Sequence, residues 1–326
     1  MSQRNHTYLS QEQRGTAAIF VLVLTFVSYS LVQADENVFK DPNLESAVRG
    51  VIGKQEGPIS KKELAGGTLK ELRVVALGIC SLEGLEYCSS LISLDLSDNQ
   101  VRDITPLAKL TKLENLSLQR NRVIDLSSLS GLSSLKHLQL GSNRIEHLEP
   151  LASLTALENL DVGFNKIEDV TPLASLTQLV NLNLFHNDRI RNLTPLRSLG
   201  KLESLLLRGN RIEDVSSLTD LTQLRELWLD MNQVTDISSL SKLTSLRTLF
   251  AGSNRIEDIS ALSEMRDLEH LKLGNNVIKD IGVLNNMPRL VDIEVQNNQL
   301  GDITPVMGRT GLRVLGLGTN PLKKPP

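Results

Sequence analysis

Metal binding and nucleophilic catalysis need histidines, cysteines or acids brought together, and this chain offers five histidines and two cysteines for the purpose. His6 stands near the N-terminus, His147 and His186 fall in stretches that read as loops, and His137 and His270 occupy equivalent places in two distant segments. No pair has ligand spacing. The adjacent acids Glu168-Asp169, Glu213-Asp214 and Glu257-Asp258 could share a proton or a cation, but they return at a fixed interval. Residues that return with an interval are scaffold first, and the Asp of each pair is expected to cap the turn that follows it. H-E-x-x-H, G-x-S-x-G, phosphate-loop and calcium-loop spacings are all absent from the sequence. The expectation is no catalytic residue, no metal and no cofactor.

The chemistry that remains is recognition, and the large rings are the residues to follow. Aromatics make up only 3% of the chain, and past the N-terminal region they reduce, tyrosines aside, to Phe39, Phe164, Phe185, Trp228 and Phe250. Trp228 lies in Leu224 to Val234, L-R-E-L-W-L-D-M-N-Q-V, which has the form L-x-x-L-x-L-x-x-N-x-[IVL]. Strand side chains alternate faces, so Leu227 and Leu229 point to a core and Trp228 between them points out. In register with it the outward column reads Asp95, Ser117, Gln139, Asp161, Asn183, Leu206, Trp228, Phe250, Lys272, Glu294 and Gly316. Leu206, Trp228 and Phe250 therefore stand side by side on three consecutive strands, with Phe185 one column over. Phe164 and Met231 lie at the rim. An outward row of large apolar groups adds nothing to the core and marks an interaction site. Arg208, Glu226, Asp230 and Arg255 are expected to ring it with charge. Packing of each ring on its neighbours is the structural alternative.

The element that positions the row is a repeat. Its turn asparagines are Asn99, Asn121, Asn143, Asn165, Asn187, Asn210, Asn232, Asn254, Asn276, Asn298 and Asn320, spaced by 22 residues except for 23 between Asn187 and Asn210, where Asp188 is inserted. Stacked coil on coil, these side chains should form an internal ladder that satisfies backbone groups left open at the strand ends. Between strands the chain reads D-[IVL]-[ST]-[PS]-L-x-x-L-[TS], with Ser or Thr expected to cap and Pro to follow at the first helical position, leaving room for short 3₁₀ segments only. The pattern predicts an α/β repeat solenoid, a leucine-rich repeat horseshoe with about twelve repeats over 69–326, a parallel concave β-sheet and 3₁₀ turns on the convex side.

Ahead of the repeats, 35–68 reads as a helical cap. Asp41 can cap a helix with Pro42 at its first position, and Leu44, Ala47, Val48, Val51 and Ile52 share one face. S-K-K-E from Ser60 has capping-box spacing, and Phe39 is expected in the cap core. Leu77 stands where the first coil should have its asparagine. Before that, 1–34 has the form of an export signal, with Arg4 and Arg14 preceding the apolar run Ala17 to Val27, and small Val32 and Ala34 placed for cleavage before Asp35. An uncleaved signal anchor is the rival. After cleavage no membrane span is expected. Cys88 falls at a core position and Cys80 at a surface one; a disulfide between them would need Cα atoms within about 7 Å.

The coils L-x-x-L-x-L-x-x-N-x-I-x-D-I-T-P-L-x-x-L-T and the helical segment before them resemble those of bacterial internalins and related secreted proteins with 22-residue leucine-rich repeats. That resemblance implies an extracellular or cell-envelope recognition role, often adhesion to a host or neighbouring-cell protein. The net charge is -3, and lysines and arginines alternate with acids along the chain, so no basic stripe points to nucleic acid. The expected function is an exported, non-enzymatic module that binds a protein partner on its concave face through Phe185, Leu206, Arg208, Glu226, Trp228, Asp230 and Phe250. The rival is an intracellular regulatory subunit, since the repeat is also similar to that of the eukaryotic phosphatase-regulator group. Self-association through a last strand at Leu312 to Leu317, which has no evident cap, is a third possibility.

Overall fold

The computed structural model describes residues 38–322, so the export segment and its cleavage point lie outside the described residues. The described residues open with helix α1, Pro42–Ile52, capped by Asp41. One carboxylate oxygen of Asp41 accepts from the N–H of Asn43 at 3.0 Å and of Leu44 at 3.2 Å. The other accepts from the N–H of Cys80 at 2.8 Å, which ties the helix start to the first coil. Leu44 and Val48 are buried, and Ala47 and Ile52 pack partly against them. Val51 departs from the expected face and is 55% exposed. It lies in the last turn, where Gly53 at φ 70° ends the helix and turns the chain away from the core. Helix α2, Lys61–Ala65, carries the expected capping box between Ser60 and Glu63. Together with Phe39, Ile59 and Leu64, all buried, the two helices extend the apolar core beyond the first coil.

Twelve strands of three residues each, from β1 at Glu71–Arg73 to β12 at Val314–Gly316, form one parallel sheet in chain order. Each coil returns to the sheet one layer further on, so every strand pairs with its successor in unbroken register. In Leu205↔Leu227↔Leu249 the middle residue of each strand is buried and its two neighbours face out. Each coil contributes the same apolar frame, and the buried leucines, isoleucines and valines join in one continuous core. Cys88 belongs to that core and Cys80 is exposed; both are free thiols, and burial, with Glu86 nearby, pushes the Cys88 thiol up to about 12.

The asparagines close the coils. Asn232 donates to the carbonyls of Leu207 at 3.0 Å and Leu229 at 2.9 Å, while its own oxygen accepts from the N–H of Ile212 at 3.0 Å. Each such side chain therefore bonds its own coil to the preceding one. Asn210 is the exception: it donates to Leu184 and Leu207, but its buried oxygen has no partner among the described residues. It follows the inserted Asp188, which adopts φ 62° and shifts the chain that would have supplied the N–H.

Short 3₁₀ segments such as Thr105–Lys109 and Thr171–Ser175 form the opposite side, as the S/T-P pattern predicts. Of the two expected caps, the Asp forms and the Ser or Thr does not. Thr105 does not accept a capping hydrogen bond; its N–H and hydroxyl both donate to Asp103, at 2.8 and 2.6 Å. The same Asx turn recurs at Asp125, Asp169, Asp236 and Asp258. The Asp two places earlier out-competes the hydroxyl because a carboxylate accepts more strongly.

At the far end Leu315 occupies the place of buried Ile293 yet is 40% exposed, beside Val314 at 44%. Among the described residues no helix is long and apolar enough to cross a membrane.

Candidate functional site

The concave face has two textures. Over β2 to β6, Ser93–Asp95 to Asn181–Asn183, the outward side chains are polar and bond to one another. Ser97 bonds Asp95 and Ser117, Ser117 reaches Gln139, and Asn159 links His137 at 2.6 Å to Asn181 at 2.5 Å. These groups border a groove of about 460 Å3 whose lining includes His137, Gln139, Asp161, Asn183 and Leu206. Asp161 is turned down onto the N–H of Gly163 at 2.9 Å, and burial raises its carboxyl above the ordinary range against that bond and the Asn183 amide.

Over β7 (Ser204–Leu206), β8 (Glu226–Trp228) and β9 (Thr248–Phe250) the texture changes. Leu206, Trp228 and Phe250 are register partners on adjacent strands. The Trp228 and Phe250 rings lie 4.8 Å apart between centroids, and Phe185 reaches across to Trp228 at 5.3 Å. Phe164 stacks on His186 at 4.9 Å, and His186 meets Phe185 edge-on at 6.4 Å. The result is one connected aromatic row that bends from the middle of the sheet to its rim. The parallel sheet sets strands about 4.8 Å apart, close to the preferred separation of offset rings. Trp228, Phe250 and Phe185 are half-buried, each covering part of the next, while Phe164 and Met231 are 53% and 46% exposed.

Phe164, His186 and Met231 occupy the left-handed region just before their asparagines, as do Asp98, Arg120, Ser142 and Ser253 at the same place in other coils, so the repeat's own turn sets the backbone that carries them. At the equivalent position of the next coil Gly209 has φ 70°, and a Cβ there would lie 2.3 Å from the His186 ring. Only glycine leaves room for that imidazole. On the other flank Gly252 and Gly274 keep the surface low beside Phe250.

The charged residues expected around the rings take different roles. Glu226 accepts the indole N–H at 2.8 Å and the Ser204 hydroxyl at 2.7 Å, so it fixes the Trp228 ring. Asp230 is not a free rim charge: it accepts the N–H of Gly252 at 3.1 Å, and burial raises its carboxyl despite that bond and the cations of Arg208 and Lys272. Arg208 and Arg255 are exposed as expected. Two participants were missed by sequence reasoning. Lys272 sits over the Phe250 ring at 4.8 Å and is held by Glu294 at 2.8 Å, and His186 joins Phe164 to the row. Lys272 was visible as the next member of the outward column; His186 depends on the bend at the 23-residue coil.

The leucine-rich repeat model, in two-copy units, matches at 89–133, 133–175, 155–198, 200–242, 223–264 and 266–306. An internalin, InlF, from Listeria monocytogenes is 33% identical over 88% of this chain and 92% of its own, with a TM-score of 0.78. The functional domain of InlJ, from the same organism, shares the fold at 22% identity and TM-score 0.65, over 88% of this chain and 71% of that one. So does the ectodomain of the receptor kinase GASSHO1/SCHENGEN3 from Arabidopsis thaliana, seen in complex with Casparian strip integrity factor 2, at 24% identity and TM-score 0.62 over 73% and 34% of the two chains. With the asparagine ladder, the helical segment and the twelve-stranded sheet in place, this chain belongs to the leucine-rich repeat proteins, in the internalin-like group.

Proposed function

We propose that the chain is an exported, non-enzymatic recognition protein that binds a protein partner on its concave face, with Trp228, Phe250, Phe185 and Leu206 as the apolar contact and Arg208 at its edge. The observation that carries this reading is the aromatic row itself, with ring contacts of 4.8 and 5.3 Å on a surface that gives the core nothing. Aromatic anchors set in a polar surround are the usual centres of binding energy at protein interfaces. A neighbour of the same fold supports a recognition role: the receptor ectodomain named above is seen in complex with Casparian strip integrity factor 2. The signal-like segment at 1–34 supports export, and an adhesive role toward a host or neighbouring cell follows the internalin likeness.

Two experiments test it. The native chain is used to capture surface proteins from envelope or host-cell extracts, beside Trp228→Ala/Phe250→Ala; a protein held equally by both removes the concave row from the account. Fractionation with N-terminal sequencing tests export, with a form beginning at Asp35 outside the cytoplasm expected and an intact cytosolic Met1 form contradicting it.

A further inference from the structure

Along the chain the cations alternate with acids, and in one dimension no basic stripe is visible. In space the alternation becomes separation. The residue after each turn asparagine is Arg122, Arg144, Lys166, Arg211 or Arg255 in five coils, with Arg189 following the insertion, and all six are exposed. Their register is built in, because the N–H of Arg144 donates to Val123, that of Lys166 to Ile145, that of Arg211 to Ile190 and that of Arg255 to Val234, each one coil back. The cations therefore stand in a column along the solenoid. Two residues further on, Glu146, Glu168, Glu213 and Glu257 form a parallel acidic column. Lys166 reaches Glu146 at 3.6 Å, whereas among the described residues none of the five arginines has a carboxylate within 4.0 Å.

On the concave side this stripe is bordered by the rim positions that carry Phe164 and Met231. In the Phe164 coil the order across the edge is thus apolar, basic, acidic, through Lys166 and Glu168, while Ser142 and Ser253 hold the place before the asparagine in the Arg144 and Arg255 coils. We infer that the basic rim receives an acidic segment of the protein partner, lying along the solenoid with its apolar side turned to Phe164, Met231 and the aromatic row. This rests on the concave-face reading above. A stripe one residue wide favours a protein edge with a matching row of carboxylates. A nucleic-acid duplex is wider, and its outer charges would fall against the glutamate column.

The test uses the full chain and a fluorescein-labelled oligo-L-glutamate, read by anisotropy at low salt. Arg144→Glu/Lys166→Glu/Arg211→Glu is compared with Lys109→Glu/Lys201→Glu/Arg247→Glu, which changes the net charge equally at exposed positions off the stripe. The rim variant is expected to bind at least about tenfold more weakly, and the control to stay within about twofold of native. Circular dichroism checks that both are folded. No oligoglutamate binding by the native chain, or equal loss in both variants, overturns the inference. So does tighter rim-dependent binding of a heparin oligosaccharide, which would assign the stripe to a glycan. Oligoglutamate carries no apolar side chain to place on the rings, so its binding reports on the rim, while capture of the protein partner reports on the aromatic row, and the two failures are read separately.

Discussion

The same backbone carries two unlike stretches of concave surface, polar over β2 to β6 and aromatic over β7 to β9, with the same buried leucine beneath every strand. In the polar stretch the side chains have spent their hydrogen-bonding capacity on each other, as in the chain from His137 through Asn159 to Asn181. A ligand there must replace bonds already made. In the aromatic stretch the indole N–H of Trp228 is already held by Glu226, and the Trp228, Phe250 and Phe185 rings leave apolar surface in contact with water. Removing that surface from water contributes free energy without an exchange of bonds. Scaffold and proposed binding surface therefore lie on opposite faces of the same strands: inward residues close the coil, and outward residues carry the proposed contact.

The largest expected effect tests that separation from the inside. Leu227 is fully buried next to Trp228 in sequence, and Leu227→Ala should cost about 2–5 kcal/mol in urea unfolding. Trp228→Ala should cost clearly less, since the ring is only half-buried. Equal losses would mean the row is part of the core.

A smaller effect compares two asparagines in the ladder. Asn232→Ala leaves two carbonyls and an N–H without their partner, and should cost about 2–3 kcal/mol. Asn210→Ala should cost about 1 kcal/mol less, because its oxygen has no bond to lose. If the two variants match, the insertion at Asp188 has not broken the ladder.

The smallest concerns the opposite side. Asp103→Ala should cost about 1 kcal/mol at neutral pH. The hydroxyl and N–H of Thr105 hold the Asp103 carboxyl below its ordinary range, so its contribution is complete above about pH 3.9 and is lost as pH falls through the lowered folded value. Native and variant unfolding midpoints should converge in acid; a gap that persists or widens there contradicts the Asx-turn role.

Most of the scaffold was legible because it repeats. An asparagine or leucine seen eleven times in one phase has one structural explanation, and the inward and outward faces follow from counting. The same count makes Trp228, Phe250 and Leu206 neighbours; they are register partners, and the Trp228 and Phe250 rings meet. What counting could not give was the reach of individual side chains. Nothing in a register tells that Asp230 turns to Gly252, that Glu226 turns to the indole, or that the left-handed turn at His186 tips its ring onto Phe164. Composition likewise hid the basic rim, since alternation along a coil and separation across coils are the same sequence seen in one and two dimensions. Val51 shows the limit at element ends, where a helix terminates and its apolar pattern no longer reports contact.

The central claim is that binding energy resides in the aromatic stretch and not in the polar one. The direct measurement is affinity for the captured partner, by calorimetry or surface plasmon resonance, for Trp228→Ala/Phe250→Ala beside Gln139→Ala/Asn183→Ala. The account predicts a loss of about 2 kcal/mol or more, roughly thirtyfold, for the first pair and little change for the second. Equal affinities in the two variants, or a loss confined to the polar pair, would contradict it.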